Sequence, residues 1–447
     1  MVQSWWQPQR LALFLGLIAL LFITAACGDE EEDVGISVGE PIERSPQTPI
    51  VIPAGEPIVI GVSTALTGGP VGMRGAEYRD AAVVAVERWK EANGDQIAGH
   101  DVEVVAEDDG CTETDITTAA ARRLLERRGL VGVIGPQCSG GAATAMIIYA
   151  QMGIVAISGS ATKTDLTADQ PDDGFFFRTA YRNDLEGAFA GAFAVQEIQA
   201  KTVYMIDDDE PFGIDLAVAA QRVMEAGGVE VVRESVAQGT VDFSELAARI
   251  AAQDPDLVGF AGFNPEAALF YQQLRDAGYD GLFGGTDAAV SQTGFVEPVG
   301  EAAEGALFTG CQYPLPDDFL ADFLRLHGHE PQAAWPGQYA DAATVLLDAV
   351  NEVAVEQEDG SLVIEPESLR NAVRATHLEN GITGALAFDS KGDRVPEPGD
   401  ELQQLMDAAS GFAAGEVFTL LGLIPCQVQD GELVPLGGPG AGEIRLP

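Results

Sequence analysis

From Ile58 onward, short apolar runs of strand length alternate with longer segments whose apolar residues recur every three or four positions. The first pattern predicts strands at Ile58–Val62, Val102–Ala106, Gly132–Ile134, Ile154–Ile157, Thr202–Ile206, Val229–Val232, Leu257–Phe260 and Gly281–Phe283. The second predicts helices at Ala76–Ala92, Asp115–Arg127, Ala142–Gln151, Leu185–Glu197, Asp215–Ala226, Phe243–Gln253 and Pro265–Ala277. Such alternation implies right-handed crossovers and a parallel sheet covered on both faces. The rhythm occurs twice, over 57–177 and 181–307, which predicts two similar α/β domains. It continues with helices at Asp317–Leu326 and Tyr339–Val355 and a strand at Gly384–Phe388. If that last segment returns to the first domain, the connections form a multi-strand hinge. A cleft between hinged lobes is a favoured place for a small ligand.

The length of 447 residues, with 46% hydrophobic residues, agrees with more than one core. Charge narrows the partners. Seventy acidic residues stand against 24 basic ones, a net charge of -46, which repels nucleic acid. An acidic surface of this kind keeps a protein soluble in a saline habitat.

The N-terminus reads as a processing signal. Arg10 precedes the apolar run Leu11–Ile23, which falls short of the roughly 20 residues a membrane span needs. Thr24-Ala25-Ala26-Cys27 then matches a bacterial lipoprotein cleavage site, with Cys27 as the lipidated residue. Ordinary secretion with cleavage near Ala26 is the alternative. Residues 1–26 are thus expected to be a signal peptide, and the acidic, Pro-rich 27–56 a disordered tether. Export makes the other four cysteines a disulfide question. Three pairings are possible. Cys111–Cys138 is favoured because each ends a neighbouring strand of one domain, which leaves Cys311 with Cys426. Zinc is not implied, since CxxC spacing is absent and the histidines are scattered.

The stretch Gly132–Thr167 holds the most distinctive chemistry. Its two apolar strands break into small hydroxyl residues: Ser139 after the first, then Ser158, Ser160 and Thr162 after the second. Ligands of open parallel sheets sit outside the carboxyl ends of the strands. Small residues there let hydroxyls and backbone N–H groups converge on a polar ligand, and helix N-termini favour its negative end. The plainer reading is that these serines cap helices. Catalysis finds no support. Gly69, Gly72 and Gly75 miss the GxGxxG fingerprint, a GxSxG elbow is absent, and Asp207-Asp208-Asp209-Glu210 lacks EF-hand spacing.

The chain resembles the leucine/isoleucine/valine-binding proteins, the substrate-binding subunits of branched-chain amino-acid ABC transporters. The resemblance runs from about Pro57 to Gly431 and rests on IGVSTALTGGPVGMRGAEYRDAA, EDDGC, VIGPQCSGGA, ISGSATKTDLT, FFFRTA and DFSELAARI. It implies a type I periplasmic-binding fold: two Rossmann-like α/β lobes with parallel-type sheets joined by a three-crossover hinge. The lobes are expected at 57–179 with 310–424, and at 180–309 with 425–447. The resemblance also supports the Cys111–Cys138 bridge. It carries ligand contacts onto Ser139 for an α-carboxylate, and onto Thr162, whose N–H meets the carboxylate and whose hydroxyl meets the α-ammonium. Ser160, followed by Ala161, takes a position used mainly through its backbone C=O. Asp287 stands where an acidic residue holds the ammonium. Phe212 and Phe263 match aromatic pocket positions, whereas Arg74 replaces an aromatic residue and Gln137 an aliphatic one. An aliphatic ligand and one with a polar or acidic side chain paired with Arg74 both stay open, as does an Arg74 that points to solvent.

These readings together describe an exported, lipid-anchored, monomeric solute-binding protein. It closes on a small amino acid and docks on a transporter permease, without cofactor, metal or catalysis. A receptor-linked sensor for an amide, urea or another small metabolite is the alternative. The segment Val395–Gly422 departs from the family pattern and carries an extra helical stretch, Glu401–Ala409. Screening of the net charge is expected to raise the unfolding midpoint as salt is added. A thermal-unfolding series from low to molar salt checks this, and indifference to salt would remove the saline-habitat reading.

Overall fold

The computed structural model describes residues 44–68, 70–311, 314–400, 424–436 and 444–445. The expected signal peptide, Cys27 and the helical stretch Glu401–Ala409 lie outside the described residues.

Two sheets organise the chain. The first has six strands in the order Gln96–Ile97, His100–Asp108, Ile58–Thr64, Leu130–Ile134, Val155–Ser158 and Phe176–Arg178. All pair in parallel except the short edge strand Gln96–Ile97. Ile58–Thr64 is buried along its whole length, as a central strand covered on both faces must be. The second sheet has seven strands. Glu230–Ser235, Thr202–Asp207, Leu257–Ala261, Leu282–Gly285 and Leu307–Phe308 run parallel. Cys426–Gln429 and Glu432–Pro435 then add an antiparallel edge.

Helices cover both sheets and define separate cores. One gathers Ile60, Val133, Ile157 and Phe177 with Phe319, Tyr339, Leu346 and Phe388, so the segment after residue 316 packs on the first sheet. The second sheet buries Ile206, Val258, Phe283 and Phe308 with Cys426 on one face, and Met205, Leu216 and Ala220 on the other. The chain is therefore two α/β lobes, and it passes between them three times. The passages follow Phe176–Arg178, separate Leu307–Phe308 from the helix Asp317–His327, and separate Arg394–Val395 from Cys426–Gln429.

The predicted tether over 27–56 does not extend to its predicted end. Ile50–Ile52 is a strand that pairs antiparallel with Leu362–Ile364, and Ile50 and Ile52 are buried while Val51 faces out. Its in-out-in apolar pattern is a half-buried edge strand that a Pro-rich context concealed. A further small sheet of His377–Gly381, Gly384–Phe388 and Arg394–Val395 packs in the first lobe. Only its central strand carries an apolar run.

Both disulfides are formed. Cys111–Cys138 has a Cα separation of 5.0 Å and joins two turns at the carboxyl ends of the first-lobe strands. Cys311–Cys426 has a Cα separation of 5.9 Å and links two of the three passages. It also closes a loop of sequence separation 115. Replacing Cys311 and Cys426 together by Ala is expected to lower stability by about 2–4 kcal/mol. Urea unfolding of the double variant checks this. An unchanged midpoint would mean that the bridge constrains nothing in the unfolded chain.

Candidate ligand-binding cleft

The first-lobe jaw is built where strands end and backbone must turn sharply. Helix Ser139–Gln151 begins directly at the Ile134–Cys138 turn, three residues earlier than its apolar spacing indicates. Gly141 permits this, since a Cβ there would lie 2.6 Å from the Cys111 carbonyl. Asp109, fully buried, fixes both halves of the disulfide turn. Its carboxylate accepts from the N–H groups of Cys111 at 3.0 Å and Gln137 at 3.1 Å. Burial pushes its pKa up against those bonds. The Gln137 Oε1 accepts from the Thr64 hydroxyl at 2.7 Å and the Ala65 N–H at 2.9 Å. Ser139 Oγ accepts from the Lys163 N–H at 3.1 Å, joining the two hydroxyl-rich turns.

The second turn is held from behind. Ser158 Oγ donates to the Pro136 carbonyl and accepts from the N–H of Ala161. Ser160 Oγ donates to the Gln137 carbonyl at 2.7 Å and lies 2.9 Å from the Tyr339 hydroxyl. Its side chain is thus engaged, not merely tolerated. Beneath the turn, Arg178 Nη1 donates to the carbonyls of Ala161 at 3.1 Å and Lys163 at 2.8 Å. Its Nη2 reaches the Thr167 hydroxyl and its Nε donates to Asp393 at 2.6 Å. Both members of this ion pair are essentially without solvent exposure. Arg182 Nη1 adds a second bond to Asp393 at 3.2 Å.

The second-lobe jaw comes from three strand ends. Phe212 opens helix Pro211–Ala226, Phe263 precedes helix Asn264–Asp276, and Asp287 follows strand Leu282–Gly285. The two phenyl rings lie 5.7 Å apart. Phe263 also packs against Ala65 and the Cys111–Cys138 bridge. Arg74, on helix Pro70–Asn93, donates from Nη2 to the Ala288 carbonyl at 3.1 Å and so ties one lobe to the other. The solvent-pointing alternative for Arg74 is thereby removed.

Arg74, Gln137, Ser139, Ser160, Phe212, Phe263 and Asp287 line one cavity of about 380 Å³. Tyr78 and Trp335 complete its walls. Ala161 and Thr162 are fully buried and do not line it, yet Thr162 Oγ1 lacks a hydrogen-bond partner. Asp287 is buried too, and its Oδ1 is unpartnered. Burial raises its pKa to about 6, against the opposing pull of the Ala288 N–H, Arg74, Glu186 and Trp335. The cavity therefore pairs hydroxyls on one jaw with a buried acid on the other. A separate space in the second lobe, by contrast, is walled almost wholly by apolar side chains. Among the described residues no three His, Cys, Asp or Glu side chains could hold a metal ion.

Two α/β lobes crossed by three passages, with a small polar-ended cavity between their strand ends, define a solute-binding protein. The family comparison is specific: a family model described as periplasmic binding protein matches residues 57–400. The chain belongs to the periplasmic binding protein family, and within it to the Leu/Ile/Val-binding group. It is 31% identical over 310 residues to a Leu/Ile/Val-binding protein of Rhizobium johnstonii, spanning 68% of this chain and 82% of the relative. A leucine-, isoleucine-, valine-, threonine- and alanine-binding protein of Pseudomonas aeruginosa is 28% identical, with coverage of 76% and 88%. Among solved structures, a leucine-binding protein from Thermotoga maritima superposes with a TM-score of 0.68 at 22% identity, covering 85% of this chain and 97% of that one. A Rhodopseudomonas palustris solute-binding protein in complex with 3,4-dihydroxybenzoic acid reaches 0.66 at 19% identity, with coverage of 87% and 98%. These relatives are binding proteins, and the chain is a binding protein rather than an enzyme.

Sequence reasoning missed Tyr78, Trp335, Glu186 and the Arg178–Asp393 pair. Arg178 had a signal, because a lone arginine ending the apolar run Phe175–Phe177 must find a buried anion. Replacing Arg178 by Met leaves Asp393 with Arg182 as its remaining cation and frees the carbonyls of Ala161, Lys163 and Thr164. The expected loss is about 3–5 kcal/mol of stability, read from the urea midpoint. A change under about 1 kcal/mol would show that Arg182 alone satisfies Asp393.

Proposed function

We propose that the cleft captures a small amino acid and that the loaded protein delivers it to an ABC-transporter permease. The observation that carries this reading is the buried Asp287 with an unpartnered oxygen, set across one cavity from hydroxyl-rich turns. Ser139 takes the α-carboxylate and Asp287 the α-ammonium; Thr162, buried behind the lining, joins them only if its turn shifts on binding. Charge-assisted hydrogen bonds at both ends are the strong kind. Ser160 and Ala161 shape the turn. Phe212, Phe263, Tyr78 and Trp335 enclose an aliphatic side chain, in keeping with the ligands named for the relatives. Arg74 joins the lobes over the bound ligand, and Gln137 holds the floor. Ligand contacts drawn from both lobes stabilise the closed arrangement at the expense of open ones. Family membership supports an extracytoplasmic location. Lipidation at Cys27 would anchor a monomer to the outer face of the membrane.

Calorimetry with leucine, alanine and glutamate tests the proposal. Asp287→Asn is expected to lose tenfold or more in affinity, and Arg74→Ala to weaken leucine without a selective loss of glutamate. The ammonium needs the Asp287 carboxylate, whose pKa near 6 lies above the ordinary value. Affinity is therefore full above pH 7 and falls as pH drops through 6, roughly tenfold weaker at pH 5. Failure to bind any amino acid, or a pH-independent affinity, would overturn the reading. Binding of benzoates unaffected by Asp287→Asn would favour an aromatic-acid ligand instead.

A further inference from the structure

Asp287 is backed by a second carboxyl, Glu186, which has no exposure to solvent. Glu186 lies on helix Asn183–Gln196, just after the first passage between lobes. Its Oε1 accepts the Asp287 N–H at 3.1 Å. The same oxygen accepts the hydroxyl of Thr309, which follows the last parallel strand before the second passage. Glu186 therefore joins two passages to the residue that faces the ligand cavity. Its other oxygen, Oε2, is buried without a donor among the described residues, as is Asp287 Oδ1. Two adjacent carboxyls with orphaned, buried oxygens cannot both be anions.

The groups around them supply one positive charge. Arg74 faces Asp287 from helix Pro70–Asn93, and the remaining neighbours, Tyr78, Tyr181, Trp335 and Thr309, are neutral. Among the described residues no cation is paired with Glu186.

We propose that Glu186 is a positioning residue that remains a neutral acid, takes two hydrogen bonds on Oε1, and donates its own proton to Asp287. The pair then carries one negative charge, and that charge resides on the residue exposed to the cavity. Burial and the charge of Asp287 both push the Glu186 pKa up, which agrees with this assignment. Glu186 in this role orients Asp287 and connects its occupancy to the two passages.

The assignment of the proton does not depend on the identity of the ligand. Its binding consequence rests on the amino-acid reading above. Carbon-13 NMR of the ligand-free, full-length protein at pH 7, with only the glutamate side-chain carboxyls labelled, is expected to show one neutral glutamate carboxyl. That signal should vanish in Glu186→Gln. Ionised glutamates only in the parent, or a neutral glutamate carboxyl that persists in the variant, would overturn the proposal. With L-leucine as probe, Glu186→Gln supplies an amide donor in place of the acid proton and should bind within about threefold of the parent, whereas Glu186→Ala should lose tenfold or more. An equal loss in both variants, with unfolding midpoints intact, would assign Glu186 a charge rather than a donor role. If the parent fails to bind leucine, the NMR result still decides where the proton lies, and the amino-acid reading alone falls.

Discussion

The guanidinium of Arg178, deprived of water, is where the first lobe converges. It ends the strand Phe176–Arg178 and donates to the carbonyls of Ala161 and Lys163 in the turn beside the cavity. It is neutralised by Asp393 from a distant part of the chain. A buried cation is tolerable only when its donors are occupied and its charge is met. That requirement fixes the path of Lys163 and Thr162, and hence the direction of the hydroxyl-bearing turn. It also recruits the segment after residue 316 into the first lobe, since Asp393 belongs to it. Arg182, bound to the same carboxylate, carries the constraint to the first passage between the lobes.

The two jaws meet a ligand with different electrostatic means. The first offers hydroxyls and backbone groups around neutral turns, with Asp109 spent on the N–H groups of Cys111 and Gln137. The second offers a carboxyl whose burial leaves it poorly solvated and only partly paired. A zwitterion satisfies both without bringing net charge into the cleft. That balance is independent of the -46 carried by the whole chain, most of whose acids lie on the solvated surface where salt screens them.

The fold was legible because strands buried on both faces write continuous apolar runs and helices write a 3.6-residue period. Every parallel strand from Ile58 to Phe283 announced itself in one of these ways except Phe176–Arg178, where three consecutive phenylalanines end in an arginine. Half-buried pieces were harder. Ile50–Ile52 is a three-residue edge strand hidden among prolines, and His377–Gly381 an edge strand whose composition resembles a loop. At the cleft, Ser139 and Asp287 followed from a small-residue turn and a family resemblance, and their placement on one cavity reflects strand ends brought together by parallel topology. Trp335 and Glu186 were illegible for a physical reason: Trp335 lines the cavity and Glu186 backs Asp287, each from a helix start remote in sequence, where no local pattern reports what the side chain will face.

The Cys311–Cys426 bridge bears on the kinematics of the two lobes. Three independent connecting segments permit shear, twist and bending alike. A covalent tie between two of them forbids those two from sliding past one another, leaving rotation about their common axis as the soft coordinate. Rotation about that axis would part and remake the contacts seen across the cleft here, Phe263 on the Cys111–Cys138 bridge and Arg74 on the Ala288 carbonyl.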